Sequence, residues 1–250
     1  MPVGETVQTI KTKVNAEAHD PSTELNYQSK VNDPYSSHSV VLSHVGEGNG
    51  RRILDVGSAQ GVLAQRFMEL GFEVTCIEGS AELAALGKDK CHEMILADLD
   101  KTLPPLKGQF DVIVYADILE HLRNPLDVFK GFNRSLRPDG RVIVSVPNFA
   151  HWWVRVNLLV GRFNYMDRGI LDRTHLRFFT LRSFKAFLQE AGMEWEEIVA
   201  TPVPLFLAVP KRYHGGWLRA LHALNAAVTR CWKTMFGFQF VAIAHARKLS

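Results

Sequence analysis

Short apolar runs that favour strands alternate with helix-compatible segments between residues 51 and 146. The strand-like runs are 51–56, 72–77, 93–97, 110–115 and 141–146. The run FDVIVY is almost continuously apolar, which suits a strand that is buried on both faces of a parallel sheet. Helices are predicted at 62–70, at 81–86 and from Asn124-Pro125 to a turn at 137–140. This alternation predicts βαβ units and therefore an α/β fold with a mainly parallel sheet.

The remaining segments complete a prediction of domain organisation. The polar residues 1–20 predict a mobile tail, and residues 21–250 predict a single domain that begins with a helical lid at about 21–45. Thr180 is expected to cap a helix over 181–191. Two last strands are predicted at 195–200 and 238–246, with an insertion at about 202–237 between them.

Composition excludes several functional classes. Lys and Arg number 29 against 26 Asp and Glu, for a net charge of +3, and they form no dense block, so nucleic-acid binding is not expected. Cys76, Cys91 and Cys231 are scattered, which predicts neither a metal site nor a disulfide framework and favours a reducing compartment. The N-terminus shows no secretory signal, and no apolar run approaches the ~18 residues of a spanning helix. We expect a soluble, cytoplasmic protein.

The stretch ILDVGSAQG predicts a strand that leads through a glycine turn into a helix. Gly57 and Gly61, with the small Ala59 between them, allow a ligand to approach the backbone. No lysine follows the loop, and Asp55 at the strand end would repel a phosphate, so a ligand with a positive group is favoured. The loop lacks the third glycine of G-x-G-x-x-G, which argues against a nicotinamide cofactor.

Acidic residues also follow the next two predicted strands. Glu78 lies about 20 residues beyond the loop, where an acid can accept hydrogen bonds from both hydroxyls of a ribose. Asp98 follows the third strand, where it can accept from the exocyclic amine of an adenine, although Asp98 and Asp100 can also be turn residues. A ligand with an ammonium group, a ribose and an adenine but no phosphate is S-adenosylmethionine.

These motifs, together with FDVIVYADILEHLRNP and LRPDGRVIVSVPN, resemble the class I S-adenosylmethionine-dependent methyltransferases, especially the ubiquinone-pathway O-methyltransferases. The resemblance implies a Rossmann-like, seven-stranded, mainly parallel sheet with helices on both faces. It also implies that the cofactor, and S-adenosylhomocysteine as product, is held by Asp55, Gly57, Ser58, Ala59, Gly61, Glu78, Gly79, Asp98, Leu99, Ala116 and Asp117. The sequence departs from the family at Ala59, where glycine is usual, and at Ser58, and the alanine methyl is expected to narrow the loop.

A second resemblance leaves an alternative open. The stretches PNFAHWWVRVNLLVGRFNY and ILDRTHLRFFTLRSF are similar to MetW, a methyltransferase-fold protein that accompanies a metabolic enzyme, and to methyltransferases of surface-polysaccharide clusters. The insertion after residue 202 and the DRTHLRFFT motif are closer to the second group. The alternative to a methyltransferase acting on a small or lipid-linked molecule is therefore a non-catalytic partner protein.

Methyl transfer requires few catalytic side chains, because holding the acceptor in line with the sulfonium can contribute ~7–11 kcal/mol. If the acceptor is a hydroxyl, a general base adds to the rate, and the candidates are His121 and His175. His121 could equally be a helix-start residue bonded to the backbone, and His175, beside Asp172, is expected more often to fix a loop.

The acceptor pocket is predicted from aromatic and arginine residues that suit an anionic or lipid-linked molecule. Its candidate residues are Tyr35, Trp152, Arg155 and Arg173. The same arginines could instead border a cap over the site.

Apolar residues recur at helical spacing in the segment 216–235. They are Trp217, Leu221, Leu224, Val228, Trp232 and Met235. The pattern predicts a lid helix whose apolar stripe faces the core. The alternative is a basic amphipathic helix in peripheral contact with a membrane.

Overall fold

The computed structural model describes residues 33–247. The predicted mobile tail, and the part of the predicted lid that precedes residue 33, lie outside this range. The described part of the lid contains helix α1 (Ser37–Val45). The side chain of Ser36 caps this helix by accepting a hydrogen bond from the backbone N–H of Ser39 at 3.1 Å.

Seven strands form one sheet in the order β3-β2-β1-β4-β5-β7-β6. Their bounds are β1 (Arg52–Val56), β2 (Glu73–Glu78), β3 (Glu93–Leu96), β4 (Phe110–Ala116), β5 (Leu136–Pro147), β6 (Met193–Thr201) and β7 (Gln239–Ala246). Strands β1 to β5 pair in parallel, and β7 lies antiparallel between β5 and β6. The prediction of a Rossmann-like, mainly parallel seven-stranded sheet is confirmed.

Helices cover both faces of the sheet. The helices that follow α1 are α2 (Val62–Glu69), α3 (Ala81–Gly87), α4 (Pro125–Asn133), α5 (Trp152–Leu159), α6 (Leu181–Glu190), α7 (Leu205–Ala208), α8 (Gly216–Cys231) and α9 (Lys233–Phe236). One buried cluster joins α1 and α2 to the sheet, through residues such as Val41 and Phe67. The other joins α4 and α6 to the sheet, through residues such as Phe129 and Phe184.

The strand order places a crevice at the centre of the sheet. From β1 the chain moves outward to β2 and β3, and it then returns to place β4 on the other side of β1. Asp55 near the end of β1 pairs with Cys76 of β2 on one side and with Val114 of β4 on the other. Ligands of open α/β sheets bind outside the carboxyl ends of the strands at such a reversal.

The predicted turn at 137–140 is wrong. Helix α4 ends at Asn133, and residues 137–140 belong to β5, which already starts at Leu136. The register with β4 shifts there, because Phe110 pairs with Leu136 while Val112 pairs with Arg141. The proline and glycine of this stretch therefore lie in a strand irregularity, where such residues are tolerated.

The predicted orientation of the 216–235 helix is also wrong. The helix ends at Cys231 and the short α9 follows. Helix α8 buries Leu218, His222, Ala226 and Thr229, and it leaves Trp217, Leu221 and Leu224 exposed. Among residues 33–247, no helix is both long and apolar enough to cross a membrane.

Candidate active site

The carboxyl ends of β1 and β4 border a cleft that is open to solvent. Its lining residues are His38, Asp55, Gly57, Ser58, Ala59, Gln60, Val62, Leu63, Ala116 and Asp117. Most of these were predicted from the first loop and from the end of the fourth strand. His38, on α1, was missed because nothing in the sequence indicates which side of a short helix faces a distant loop.

The first loop approaches the cleft through left-handed backbone conformations. Gly57, Ala59 and Gly61 have φ angles of 76°, 48° and 73°. A Cβ atom on Gly57 would lie 2.6 Å from Cγ1 of Ile118, so only glycine fits there. Ala59 adopts the left-handed conformation although it carries a side chain, which explains why a glycine is usual at this position. Ala59 is one of the residues that line the cleft.

Asp55 gives the cleft a buried carboxyl group. The residue is 2% exposed, and burial, reinforced by the nearby Glu78, raises its pKa to about 7. Within residues 33–247, Asp55 Oδ2 has no hydrogen-bond partner. A buried carboxyl that lines a cleft without a partner suits a ligand that brings a positive charge, as the ammonium and sulfonium groups of S-adenosylmethionine do.

Glu78, at the end of β2, is held by two backbone amides. Its Oε2 accepts from the N–H of Ala59 and its Oε1 from the N–H of Ser80, both at 2.8 Å. These bonds tie the first loop to the end of the next strand. Each carboxylate oxygen keeps a second lone pair, so the residue can still accept from the two hydroxyls of a ribose.

The predicted adenine residues lie beyond β3. Asp98 pairs with Lys101 at 2.8 Å and accepts from the backbone N–H of Asp100 at 3.1 Å. The bond from Lys101 is the main reason that the pKa of Asp98 is lowered. Asp98 thus acts as a turn residue, which was the alternative to its role at the adenine. Its contact with the adenine stays a prediction, and so does that of the half-buried Leu99. Gly79 approaches this turn, since a Cβ there would lie 3.5 Å from the carbonyl oxygen of Ala97.

Asp117, which follows β4, is fixed by two residues that the sequence analysis missed. Its Oδ1 accepts from Ser145 Oγ on β5 and from Gln239 Nε2 on β7, the latter at 2.8 Å. Its own backbone is left-handed, with φ at 56°. No local motif indicates these contacts, because the three residues meet only through the pairing of β4, β5 and β7.

His121 and His175 meet beside this end of the sheet, with ring centroids 4.8 Å apart. The Nδ1 atom of His175 lies 3.1 Å from the carbonyl oxygen of Ile170. Because a carbonyl can only accept, that nitrogen carries a proton. Thr174 Oγ1 donates to Asp172 at 2.7 Å and lies 3.0 Å from His121 Nδ1, so His121 Nδ1 donates to Thr174.

Two consequences follow for the histidines. Asp172 orients His121 through Thr174, and it does not orient His175, whose ring is fixed by the Ile170 carbonyl as the loop role predicts. Burial, and to a smaller extent His175, lower the pKa of His121, so its ring is neutral at pH 7. The Nε2 atom of neutral His121 then holds a lone pair and can act as a base.

The same place could hold a metal ion, although the sequence predicts none. Ligand atoms of Glu120, His121 and His175 lie within 4.8 Å of one another. Imidazole and carboxylate groups suit several divalent transition metals. The absence of a metal site stays a prediction.

The four residues predicted for the acceptor pocket do not line the cleft around Asp55. Tyr35 packs edge-on against His222 at 5.2 Å. Arg155 donates to the carbonyl of Ala150, and Arg173 pairs with Asp167 at the surface. Trp152 is 43% exposed at the start of α5. Their acceptor role stays a prediction.

Residues 27–198 match the family model described as a methyltransferase domain. The chain belongs to this family. It is 30% identical over 158 residues to a ubiquinone biosynthesis O-methyltransferase of Pseudomonas paraeruginosa, and 26% identical to that of Pseudomonas aeruginosa. Both alignments cover 60% of this chain and 67% of the relative.

A solved structure shares the fold over nearly the whole chain. It is the 1,6-didemethyltoxoflavin-N1-methyltransferase of Burkholderia thailandensis with bound 1,6-didemethyltoxoflavin and S-adenosylhomocysteine. The TM-score is 0.58 at 16% identity, covering 99% of this chain and 92% of the other.

The prediction of a class I S-adenosylmethionine-dependent methyltransferase is therefore confirmed, with S-adenosylmethionine as the cofactor. The alternative of a non-catalytic partner protein is not favoured by these comparisons.

Proposed function

We propose that this methyltransferase transfers the methyl group to an oxygen or nitrogen of a small or lipid-linked molecule. The observation that carries the proposal is the neutral, oriented His121, which follows β4 closely and presents a basic Nε2 atom. Transfer to an O–H or N–H group releases a proton that a base must take, whereas the methyl donor itself needs no activation by the protein.

The contacts around the cleft and at the neighbouring strand ends support the proposed cofactor-binding roles. Bound S-adenosylmethionine supplies an activated methyl group on a positively charged sulfonium. Asp55 offers a carboxylate to the cationic end, and Gly57 and Gly61 let the backbone approach it. Glu78 accepts from the ribose hydroxyls, and Asp98 with Leu99 faces the adenine. Ala116 and Asp117 border the position where the acceptor atom must lie.

His121 takes the proton of the acceptor at Nε2 as the new bond to oxygen or nitrogen forms. Thr174 Oγ1 holds the ring by accepting from Nδ1, and it donates in turn to Asp172. The same bonds stabilise the imidazolium that results, because a carboxylate lies at the end of the chain. His175 packs against the ring edge-on and restricts its rotation.

The segment that follows β5 is suited to bind an acceptor with an apolar part and a negative charge. Residues 149–166 contain two arginines and no Asp or Glu. Several large apolar side chains of this segment are exposed, among them Trp152, Val156, Leu159 and Phe163. An apolar tail could cover them, and arginine guanidinium groups match carboxylates and phosphates.

The cofactor part of the proposal is tested by calorimetric titration with S-adenosylmethionine and S-adenosylhomocysteine. We expect both to bind to the wild type and Glu78→Ala to lose at least tenfold in affinity for each, because the variant loses its ribose acceptor. Glu190→Ala, an exposed glutamate on α6, is the matched control and should bind as the wild type does. Equal affinities for the wild type and Glu78→Ala would refute the assignment of Glu78.

The catalytic part is tested with His121→Asn after a screen of hydroxyl and amine compounds with apolar or anionic groups has identified an acceptor. Asparagine keeps a donor near the position of Nδ1 but has no base at the position of Nε2. We expect kcat to fall about 10²–10⁴-fold, with unchanged affinity for S-adenosylmethionine. In the wild type, kcat should fall towards acid pH, and this fall should lie below pH 6.5 because the pKa of His121 is lowered. In His121→Asn the fall should disappear.

His175→Asn is the control for general disruption of the histidine pair, and it should reduce kcat much less than His121→Asn. Equal losses in the two variants, or an unchanged pH profile in His121→Asn, would exclude the role of His121 as base.

A further inference from the structure

Helix α8 exposes its apolar stripe and buries a more polar face. Trp217, Leu221 and Leu224 are 57%, 45% and 60% exposed. His222 and Thr229 on the other side are 2% and 0% exposed. At 100° per residue, the three apolar residues fall within about 60° of one another, and His222 lies about 140° from Trp217. Within residues 33–247, a helix in this orientation leaves its apolar stripe without a partner.

The buried face of α8 is anchored, so the stripe cannot simply rotate inward. His222 Nε2 lies 3.0 Å from both carboxylate oxygens of Asp33, and both residues are buried. The rings of Tyr35 and Phe206 meet the His222 ring edge-on at 5.2 and 5.3 Å. Rotation would break this buried pair and leave the buried Asp33 without the imidazole, which is unfavourable.

The charge of the surrounding segment has a single sign. Residues 202–238 contain five Lys and Arg residues and no Asp or Glu. Lys211 and Arg212 precede the first turn of α8, from which Trp217 extends, and both are exposed. The guanidinium of Arg212 lies 4.8 Å from the ring centre of Tyr213, which is itself half exposed.

We propose that the α8 stripe (Trp217, Leu221 and Leu224), together with Lys211 and Arg212, docks on the surface of an anionic phospholipid bilayer. Apolar residues of an interfacial helix insert at the boundary of headgroups and acyl chains, and tryptophan prefers that depth. Nearby lysines and arginines are attracted to anionic headgroups. A stripe of two leucines and a tryptophan beside cations, in a segment without any acid, fits this surface better than it fits a protein of mixed charge.

A short series of contacts links α8 to the cleft. Asp33 and Tyr35, which contact α8, directly precede α1, and His38 of α1 lines the cleft. An enzyme seated in this way would meet acceptors that are embedded in the membrane by an apolar tail. The docking itself does not depend on the proposed acceptor or on the proposed base.

The test is flotation of the full-length protein with vesicles of phosphatidylcholine alone and with vesicles that also contain phosphatidylglycerol. We expect flotation with the anionic vesicles at low salt, at least tenfold less with the neutral ones, and a decrease as salt is added. The variant Trp217→Ser/Leu221→Ser/Leu224→Ser should lose at least tenfold in vesicle binding while its thermal unfolding midpoint stays within a few degrees of the wild type.

Two matched controls make the test specific to this surface. Leu86→Ser changes an exposed leucine on α3, which packs on the opposite part of the sheet, and should float like the wild type. Lys211→Gln/Arg212→Gln should weaken binding severalfold. Arg219→Gln should weaken it less, because Arg219 lies about 200° around the helix from Trp217.

No flotation of the wild type at low salt, or equal flotation of the wild type and the triple variant, would overturn the proposal. A third outcome would overturn the proposal in favour of self-association: the wild type does not float and sediments as a dimer, while the triple variant sediments as a monomer. Glu78→Ala should float like the wild type, so a failure of docking and a failure of the proposed function give different results.

Discussion

The affinity for S-adenosylmethionine should depend on the ionisation of Asp55. Its carboxyl has a pKa of about 7 in the unliganded protein, because burial disfavours the charged form and Glu78 adds to that effect. The cationic ligand favours the carboxylate. Below the pKa, binding must therefore remove a proton from Asp55, and affinity falls as the pH is lowered.

The magnitude follows from the fraction of ionised carboxyl. With a pKa of about 7, about half of the Asp55 side chains are ionised at pH 7 and about 3% at pH 5.5, so the apparent Kd should rise about 15-fold, or ~1.6 kcal/mol. The ammonium group of the ligand stays protonated throughout this window, since α-amino groups titrate near ~7.7–8.0. The ligand itself therefore contributes little to the change.

Isothermal titration in buffers of different ionisation enthalpy measures both the affinity and the proton release. We expect close to one proton released per ligand at pH 5.5 and about half a proton at pH 7. Asp55→Asn should bind more weakly at pH 7 but lose most of the pH dependence. A wild-type affinity that stays constant between pH 5.5 and 7, or the same slope in Asp55→Asn, would refute the reasoning.

The same pKa predicts that the unliganded protein loses stability as the pH rises from about 4 to about 7, because the folded-state pKa of Asp55 lies above its ordinary value of 3.8, and the loss from this residue is ~4 kcal/mol. Urea titrations of the wild type and Asp55→Asn at both ends of this range would show whether the loss depends on the carboxyl. Gly57→Ala should weaken cofactor binding at least tenfold and destabilise the fold by ~1–3 kcal/mol, because it adds a methyl group against Ile118 at a φ of 76°. Ala59→Gly is the matched variant and should bind the cofactor at least as well as the wild type, because glycine adopts the left-handed conformation of residue 59 more readily than alanine does. Equal losses of cofactor affinity in Gly57→Ala and Ala59→Gly, measured by calorimetric titration, would contradict the role of the left-handed loop backbone. Asp33→Ala should lower the urea midpoint by an amount equivalent to ~1–3 kcal/mol, because it leaves the buried His222 without its partner, and an unchanged midpoint would contradict the anchoring of α8.

The sequence by itself determined the central sheet and the first loop. The strands β1 to β4 are short apolar runs separated by helices with clear starts and ends, and this local pattern is enough to predict a parallel sheet. Asp55, Gly57 and Ala59 could be assigned to a cleft because a loop between a strand and a helix has to lie at the carboxyl edge of the sheet. Ala116 and Asp117 could be assigned for the same reason, since they lie at the carboxyl end of the central strand β4.

Contacts between distant segments were decided only by the tertiary structure. Ser145 and Gln239 reach Asp117 through the pairing of β5 with β4 and β7, and Asp172 acts on His121 through Thr174. Periodicity in a single helix cannot indicate such contacts, because it gives the spacing of residues but not the direction in which the helix packs.

Helix α8 shows most clearly that periodicity does not give the direction in which a helix packs. Its spacing of Trp217, Leu221 and Leu224 correctly indicates an apolar stripe. Burial of apolar surface usually decides which side of a helix faces the core. Here the pair between His222 and Asp33, 189 residues apart in the sequence, holds the opposite side inward. A specific buried contact between two distant polar residues thus decided the orientation that the local pattern could not.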